Sequence, residues 1–378
     1  MLQPEEFCKV LKSLKYNFFS GVPCSFLGGL TNYIINKNFF LMSTNEGEAV
    51  SICAGAALCE KKSVLLIQNS GLTNAISPLT SLTHTFKIPI LGFVGFRGEK
   101  KINDEPQHRL VGNITINLLK MMQIKWSYLS KNTKIAKRQL IKANTYIKKN
   151  KSFFFIVRNK TFDSIKLKKF IENKKNVSFI KEEKKLSEKP SLKREDVLRK
   201  INSLKCKKTA ILCTTGKTGR ELHDIGDSQN NFYMVGSMGN ISSLGLGIAL
   251  SNNKKKIIAI DGDGALLMKM GNLATNGYYS PSNLFHLLLD NNCHDSTGGQ
   301  FTVSHNVNFS NVATHCGYKK SLQISSLEKL AEEINKWKKN PTLTFAYMKI
   351  LPGSLKNLGR PSLDPPEVKT RFMKFLKK

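Results

Sequence analysis

Short apolar runs, separated by longer stretches of helical character, recur along the whole chain. Several runs are apolar throughout, which is typical of strands in a parallel sheet that is covered on both faces. The pattern predicts an α/β fold with two doubly wound parallel-sheet domains. The predicted strands are Ser63–Gln68, Ile88–Val94, Phe153–Val157, Ala210–Thr214, Lys256–Ile260, Leu284–Asp290 and Leu343–Ile350.

The stretch Lys160–Glu195 breaks this pattern. Lys, Glu, Asn and Ser dominate it, so we interpret most of it as an exposed connection between domains. Ser191 is a candidate N-cap for a following helix. The expected organisation is a domain at 1–175, a charged linker at 176–194 and a domain at 195–378.

Glycines and polar residues follow most of the predicted strands, where ligand sites of open α/β sheets are found. Gly262, Asp263 and Gly264 follow one strand, and Asn291 follows the next. Asp263 and Asn291 offer the oxygen ligands that Mg²⁺ prefers, while the glycines let the backbone approach a phosphate. A Gly-Asp-Gly segment alone is usually an ordinary turn. The asparagine after a second strand favours a metal and diphosphate site.

The combination resembles the signature of thiamine-diphosphate-dependent enzymes. The resemblance implies that Asp263 and Asn291 give side-chain ligands to Mg²⁺ and that Cys293 gives its backbone carbonyl. Met238 matches an apolar residue that wedges beneath the cofactor, although a core methionine would present the same pattern. The implied cofactor-binding residues are Gly216, Ser237, Met238, Gly262, Asp263, Gly264 and Asn291.

Thiamine catalysis also needs a carboxylic acid beside the aminopyrimidine ring. Family members carry this glutamate just before a small-residue helix, and Glu46 precedes the predicted helix Ser51–Leu58. Glu48 lies two residues further on. We prefer Glu46 as the acid because its position matches.

Five segments narrow the resemblance to the phosphonopyruvate decarboxylase family, close to sulfopyruvate decarboxylase. The family's activity would be decarboxylation of 3-phosphonopyruvate to phosphonoacetaldehyde and CO₂. The alternative is a decarboxylase that acts on sulfopyruvate or another 2-oxo acid. The resemblance implies a pyrimidine-binding domain followed by a diphosphate-binding domain, without the middle domain of larger relatives. The segments are Gly21–Ser25, Gln68–Leu72, Asp104–His108, Asp295–Gln300 and Pro365–Val368.

A substrate that carries a carboxylate and a phosphonate needs cations and N–H or O–H donors in its pocket. Ser25, Arg97 and His294 are candidate substrate ligands, and His108 is a candidate catalytic residue that relays protons. Arg97 fits a surface arginine equally well. His108 fits a loop cap, but the motif around it favours catalysis.

Two residues depart from the family pattern beside the cofactor site. Asn240 stands where family members frequently carry His, and Asn292 stands where they frequently carry Gly. These departures bear on substrate preference and rate more than on cofactor binding.

The formal net charge of +32 raises an alternative interpretation, a basic nucleic-acid-binding protein on a retired enzyme fold. No nucleic-acid-binding motif accompanies the lysines, and the intact candidate site argues against it, so we expect no nucleic-acid partner.

No apolar run approaches the roughly 20 residues of a membrane helix. With its eight scattered cysteines, the chain is expected to be cytoplasmic. The resemblance implies at least a homodimer with sites at subunit interfaces.

Overall fold

A computed structural model describes residues 1–100, 102–168 and 190–378 together with the backbone of 180–182. The chain divides into two compact units, Met1–Lys174 and Lys175–Lys378. No helix in the described part is both long and apolar enough to cross a membrane.

The first unit contains a six-stranded parallel sheet in the order β2-β1-β3-β4-β6-β5. Its strands are β1 (Tyr16–Gly21), β2 (Phe40–Met42), β3 (Lys62–Gln68), β4 (Leu91–Gly95), β5 (Lys125–Tyr128) and β6 (Phe153–Val157). Its helices are α1 (Pro4–Ser13), α2 (Gly28–Asn36), α3 (Glu46–Leu58), α4 (Leu72–Pro78), α5 (His108–Met121) and α6 (Thr133–Lys148).

The central strand β3 supplies side chains to both faces of this sheet. Val64 and Leu66 join a buried cluster that includes residues of α1, α2 and α6. Leu65 and Ile67 join a second buried cluster that includes residues of α3, α4 and α5. Because alternate strand residues point to opposite faces, a strand covered on both must be apolar at every position.

The second unit contains a seven-stranded parallel sheet in the order β7-β14-β15-β11-β10-β8-β9, and β12 and β13 form a short antiparallel pair. Its strands are β7 (Ile180–Glu182), β8 (Thr209–Cys213), β9 (Asn231–Tyr233), β10 (Lys256–Gly262), β11 (Leu284–Asp290), β12 (Cys293–His294), β13 (Gln300–Phe301), β14 (Lys320–Gln323) and β15 (Thr344–Lys349). Its helices are α7 (Arg194–Leu204), α8 (Lys217–Gly226), α9 (Ile241–Ser251), α10 (Asp263–Met268), α11 (Gly271–Tyr279), α12 (Phe309–His315), α13 (Leu327–Lys339) and α14 (Pro365–Lys377).

The prediction of an α/β fold with parallel sheets is confirmed. Each predicted strand is present, but β4 begins at Leu91 rather than Ile88. Pro89 has no N–H to donate to a neighbouring strand, and the Ile88 N–H bonds to the Thr83 carbonyl at 2.8 Å instead.

The interpretation of Lys160–Glu195 as mostly exposed connection is wrong in part. Buried Phe162 forms a β-bridge with Leu2, so the chain is still part of the first unit there. The strand β7 (Ile180–Glu182) extends the second sheet by pairing with β14. Residues 169–179 and 183–189 of the predicted linker lie outside the described residues.

One predicted helix boundary in the second unit is wrong. Ser191 is not an N-cap, because α7 begins at Arg194 and Asp196 accepts the Lys193 backbone N–H at 2.9 Å. Between β10 and β11 the chain forms two helices, α10 and α11, which are separated at 269–270. Asn272 donates to the Gly239 carbonyl at 2.8 Å and ties the start of α11 to a neighbouring turn.

Candidate active site

Glu46 is the first residue of α3 and is only 8% exposed. The helix begins there because the Asn45 side chain accepts the Glu48 backbone N–H at 3.0 Å. The Asn74 amide donates to Glu46 Oε2 at 2.9 Å. A Cβ on Gly71 would lie 1.9 Å from Glu46 Oε1, so only glycine allows the carboxylate to lie against this turn.

Glu48 has a different, local task. Its Oε2 accepts hydrogen bonds from the backbone N–H and the hydroxyl of Thr44, both at 2.7 Å. The side chain therefore helps to fix the chain just before α3. This arrangement supports the choice of Glu46 over Glu48 as the acid.

Arg97 forms an ion pair with Asp104, so its positive charge is partly balanced. Its Nε donates to both carboxylate oxygens, at 2.9 and 3.0 Å, and the Gly98 N–H donates to Oδ2 at 2.7 Å. These bonds to Arg97 hold the pKa of Asp104 well below its ordinary value. Arg97 Nη1 donates to Ser25 Oγ at 3.0 Å, so two of the predicted substrate ligands do meet.

Asn69 fixes the backbone of Arg97 from a third motif. Its Nδ2 donates to the Arg97 carbonyl at 2.8 Å, and the Arg97 N–H donates back to its Oδ1 at 3.2 Å. The Asn69 amide also donates to Thr115 on α5 at 3.0 Å. Three of the sequence motifs thus converge beyond the carboxyl ends of β1, β3 and β4.

His108 opens α5 and is only 8% exposed. Its backbone N–H donates to the Glu105 carbonyl at 2.9 Å. A Cβ on Gly98 would lie 1.8 Å from the His108 carbonyl oxygen, so the two loops are in direct contact. The ring Nδ1 is buried and has no hydrogen-bond partner among the described residues. That nitrogen remains available for a ligand or a transferred proton.

In the second unit, Asp263 ends the turn after β10 and begins α10. Burial raises the pKa of its carboxyl, although Thr302 Oγ1 donates to Oδ2. A neighbouring cation would lower that pKa again, so the environment suits a metal ligand. No described atom lies within 4 Å of a Cβ placed on Gly262, whereas a Cβ on Gly264 would lie 2.3 Å from the His294 ring.

The metal loop (residues 291–295) holds the other predicted metal ligands. Asn291 Nδ2 donates to Asp295 Oδ2 at 2.7 Å, and Cys293 Sγ donates to Asp295 Oδ1 at 3.1 Å. Burial raises the pKa of the Cys293 thiol to about 12. A thiol that stays protonated is a poor ligand, which agrees with a role for the Cys293 carbonyl instead.

The remaining predicted cofactor residues lie on two turns. Gly216 has a φ of +96°, and a Cβ there would lie 2.7 Å from Ser296 Oγ, beside the metal loop. Ser237 is buried with a φ of +53°, and Met238 next to it is half-buried. A Cβ on Gly239 would lie 2.7 Å from the Ala265 carbonyl, so this turn packs on α10.

The two departures from the family pattern have different structural settings. Asn240 is buried and donates to the Ser237 carbonyl at 3.2 Å. Asn292 has a φ of +57°, in the left-handed region that favours glycine and tolerates asparagine. Its side chain hydrogen-bonds Ser304 and Lys349, contacts that glycine could not make.

Sequence reasoning missed several residues that hold these groups in place. Asp104 and Asp295 lie inside two of the motif segments, so their positions were a usable signal. Asn74 lies on α4, two residues beyond the end of a third segment. Arg194, which forms an ion pair with Asp295 from 101 residues away, is preceded by a charged stretch and gave no local signal.

Comparison with known proteins identifies the family to which the chain belongs. Residues 215–346 match the family model of the thiamine pyrophosphate enzyme C-terminal TPP binding domain. The chain is 35% identical over 371 residues to a phosphonopyruvate decarboxylase from Streptomyces viridochromogenes, which covers 97% of this chain and 93% of that protein. It belongs to the phosphonopyruvate decarboxylase family. The predicted family is confirmed, as is the prediction of a thiamine-diphosphate-dependent carboxy-lyase.

Two further similarities concern a related decarboxylase and a solved structure with the same fold. A sulfopyruvate decarboxylase from Methanosarcina acetivorans is 28% identical over 385 residues, covering 100% of this chain and 98% of that protein. The benzoylformate decarboxylase structure from Polynucleobacter necessarius matches with a TM-score of 0.71 at 11% identity, covering 93% of this chain and 99% of that one. The latter similarity shows a shared fold alone.

The donor set fits a magnesium diphosphate. Within the described ranges, no group of three or more His, Cys, Asp and Glu side chains forms a metal cage. Mg²⁺ is usually held by one or two protein carboxylates, with phosphates and water completing its shell. One carboxylate, one amide and one backbone carbonyl, beside the open space at Gly262, meet that requirement.

Proposed function

We propose that this protein catalyses the thiamine-diphosphate- and Mg²⁺-dependent decarboxylation of 3-phosphonopyruvate to phosphonoacetaldehyde and CO₂, a step in phosphonate biosynthesis. The observation that carries the proposal is the 35% identity to a phosphonopyruvate decarboxylase over 93% of that protein. Sulfopyruvate is the second candidate substrate, supported by 28% identity to a sulfopyruvate decarboxylase.

Thiamine diphosphate, when bound, supplies a carbon nucleophile and an electron sink. Glu46 is assigned the task of holding a proton against the ring nitrogen of the aminopyrimidine. Asn74 fixes one carboxyl oxygen of Glu46, and Gly71 leaves room for the other. The carboxyl group is therefore held in one orientation by its own unit.

Asp263 and the metal loop are assigned to Mg²⁺, through Asp263 Oδ, Asn291 Oδ1 and the Cys293 carbonyl. The diphosphate would lie along glycine-rich backbone, where N–H groups approach without a Cβ in the way. Met238 is assigned to the apolar contact beneath the cofactor. The remaining backbone and side-chain contacts to the cofactor are assigned to Gly216, Ser237, Gly262 and Gly264.

Substrate binding is assigned to Ser25, Arg97 and His294. Ser25 Oγ accepts from Arg97, so its own hydrogen is free to donate to an anionic oxygen of the substrate. Because Asp104 balances the charge of Arg97, we expect Arg97 to act with Ser25 rather than as an isolated cation. The ring of His294 packs against Gly264, a residue assigned to the cofactor.

His108 is assigned to proton delivery. Decarboxylation replaces a carboxylate by hydrogen, so one proton must reach the carbon that loses CO₂. Imidazole is the common proton donor near neutral pH. The Nδ1 of His108, which has no hydrogen-bond partner in the described part of the chain, is suited to this task.

A decarboxylation assay tests the substrate. The purified chain, supplied with thiamine diphosphate and Mg²⁺, should release CO₂ from phosphonopyruvate much faster than from sulfopyruvate or pyruvate. Omission of the cofactor or chelation of Mg²⁺ should stop the reaction. Efficient turnover of sulfopyruvate with none of phosphonopyruvate would transfer the assignment to the second substrate.

Self-association is part of the proposal, with Glu46 of one subunit and Asp263 of its neighbour completing each site. The largely exposed side chains of Phe301 and Val303, just beyond the metal loop, support a covered surface there. Mixing inactive Glu46→Gln and Asp263→Asn chains tests this. Half of the dimers would be mixed, each with one intact site, so about a quarter of the parental activity should return. If each chain builds its own site, none returns.

A further inference from the structure

The Asn291 side chain has one end that can bind Mg²⁺ and one that cannot. A carboxamide presents an oxygen acceptor and an NH₂ donor, and only the oxygen is a ligand. Here Nδ2 donates to Asp295 Oδ2 at 2.7 Å. Oδ1 accepts the Cys293 N–H at 3.2 Å, and among the described residues no second donor is bonded to it. The shorter bond, to Asp295, therefore does most to determine which end of the amide faces the metal.

Asp295 is itself held from three further directions. It forms an ion pair with Arg194 and accepts the Gly353 N–H at 3.2 Å and the Cys293 thiol at 3.1 Å. Its side chain is only 10% exposed and that of Arg194 only 5%. Such a carboxylate cannot turn away from Asn291 without leaving buried partners unsatisfied.

The placement of Arg194 indicates that this network has a task besides stability. Arg194 begins α7, where the helix dipole disfavours a cation. Glu221, 1% exposed, lies 3.5 Å from its other guanidinium nitrogen and accepts the Leu355 N–H at 3.0 Å. Buried ion pairs contribute little net stability compared with apolar packing. A network that links α7, α8 and the metal loop is better explained by orientation.

We propose that Asp295, backed by Arg194, is a positioning residue that turns the Asn291 oxygen toward the metal. The inference rests on the proposed function, since it assumes that Mg²⁺ binds at this loop. Without the Asp295 acceptor, only the 3.2 Å bond from the Cys293 N–H holds the amide in this orientation. The NH₂ end then faces the metal more often, and Mg²⁺ affinity falls. Partners that orient metal ligands typically change affinity by about 10- to 100-fold.

Mg²⁺ affinity of the Asp295→Ala variant is the decisive measurement. Isothermal titration of Mg²⁺ into the full chain with thiamine diphosphate present, without substrate, gives Kd directly. We expect a rise of about 10- to 100-fold, with cofactor binding recovered at saturating Mg²⁺. Arg194→Met should shift Kd in the same direction. A Kd within twofold of the parent in folded Asp295→Ala protein would overturn the proposal.

The Asp227→Asn variant is the matched control. Asp227 also forms an ion pair with an arginine, Arg371, in the same unit. Within the described ranges it shares no bonded partner with the metal loop. It should lower the melting temperature and leave the Mg²⁺ Kd unchanged. An equal loss of Mg²⁺ affinity in both variants would assign the effect to general destabilisation and reject the inference. Failure of the parent chain to bind cofactor with Mg²⁺ would instead reject the proposed function, and this inference with it.

Discussion

Asn74 donates a hydrogen bond of 2.9 Å from its side-chain amide to Oε2 of Glu46. The bond joins the first turn of α3 to α4, the helix that follows one of the sequence motifs. It leaves Oε1 directed toward Gly71, at the place a Cβ would fill. Asn74 therefore holds one oxygen of the carboxyl group, and the glycine leaves space beside the other. That second oxygen can form a hydrogen bond with one further partner.

Glu46→Gln should leave cofactor binding within a few-fold of the parent and lower kcat by about 10²- to 10⁴-fold, because the amide cannot exchange the proton. Glu48→Gln is the matched control, two residues away on the same helix. It should lower the melting temperature by weakening the bonds to Thr44, with kcat per folded molecule nearly unchanged. Steady-state kinetics and cofactor titration measure both, and full activity in Glu46→Gln would mean that the acid is elsewhere.

Asp104 should contribute to the acid dependence of stability. Its folded-state pKa is depressed by Arg97, so its stabilising effect is complete above the unfolded pKa of about 3.9 and is lost as pH falls toward the folded value. Urea denaturation from pH 7 to pH 3 should show a free energy of unfolding that falls less steeply below about pH 5 in Asp104→Asn than in the parent. Glu5→Gln, at an exposed carboxylate, is the control and should follow the parent curve. Identical slopes in Asp104→Asn and the parent would contradict the assignment.

The sequence allowed the candidate ligands to be predicted because they lie where strands end. Parallel strands have their carboxyl ends at one edge of the sheet, so the sequence alone predicts that Asp263 and Asn291 lie close together. The short edge strand Phe40–Met42 was not predicted, because three residues are too few to show a repeating pattern of apolar positions.

The partners of the site residues were harder to predict, since contacts distant in sequence leave no local pattern. Arg194 meets Asp295 across 101 residues, and Asn69 meets Thr115 across 46. The charge of Arg97 suggested a free phosphonate ligand, but the carboxylate seven residues later already engages it. Packing decides which of several nearby carboxylates pairs with an arginine, and packing cannot be read from the sequence.

Tyr318 should be important for stability without being part of the site. Its buried hydroxyl accepts a hydrogen bond from the Asn276 amide at 2.9 Å and lies 3.0 Å from His286 Nδ1. Tyr318→Phe leaves both groups buried and unsatisfied, at about 1–3 kcal/mol each. Urea unfolding should show a loss of that order. Tyr278→Phe, at an exposed tyrosine of the same unit, should cost little, and equal losses in the two variants would contradict this account.

Asn292 should be replaceable by glycine at lower cost than by alanine. Both replacements lose the bonds to Ser304 and Lys349, but only alanine adds the strain of a left-handed backbone, about 1–2 kcal/mol. Thermal unfolding should therefore rank the parent above Asn292→Gly and Asn292→Ala last.

Asn357 provides the control for this ranking. It has a φ of +55° in an exposed loop, so Asn357→Ala should cost the strain alone. The difference between the two alanine variants then measures what the Asn292 side chain contributes to holding the metal loop. If Asn292→Ala and Asn357→Ala lose equal stability, those side-chain bonds contribute nothing, and the asparagine serves only to tolerate the left-handed backbone.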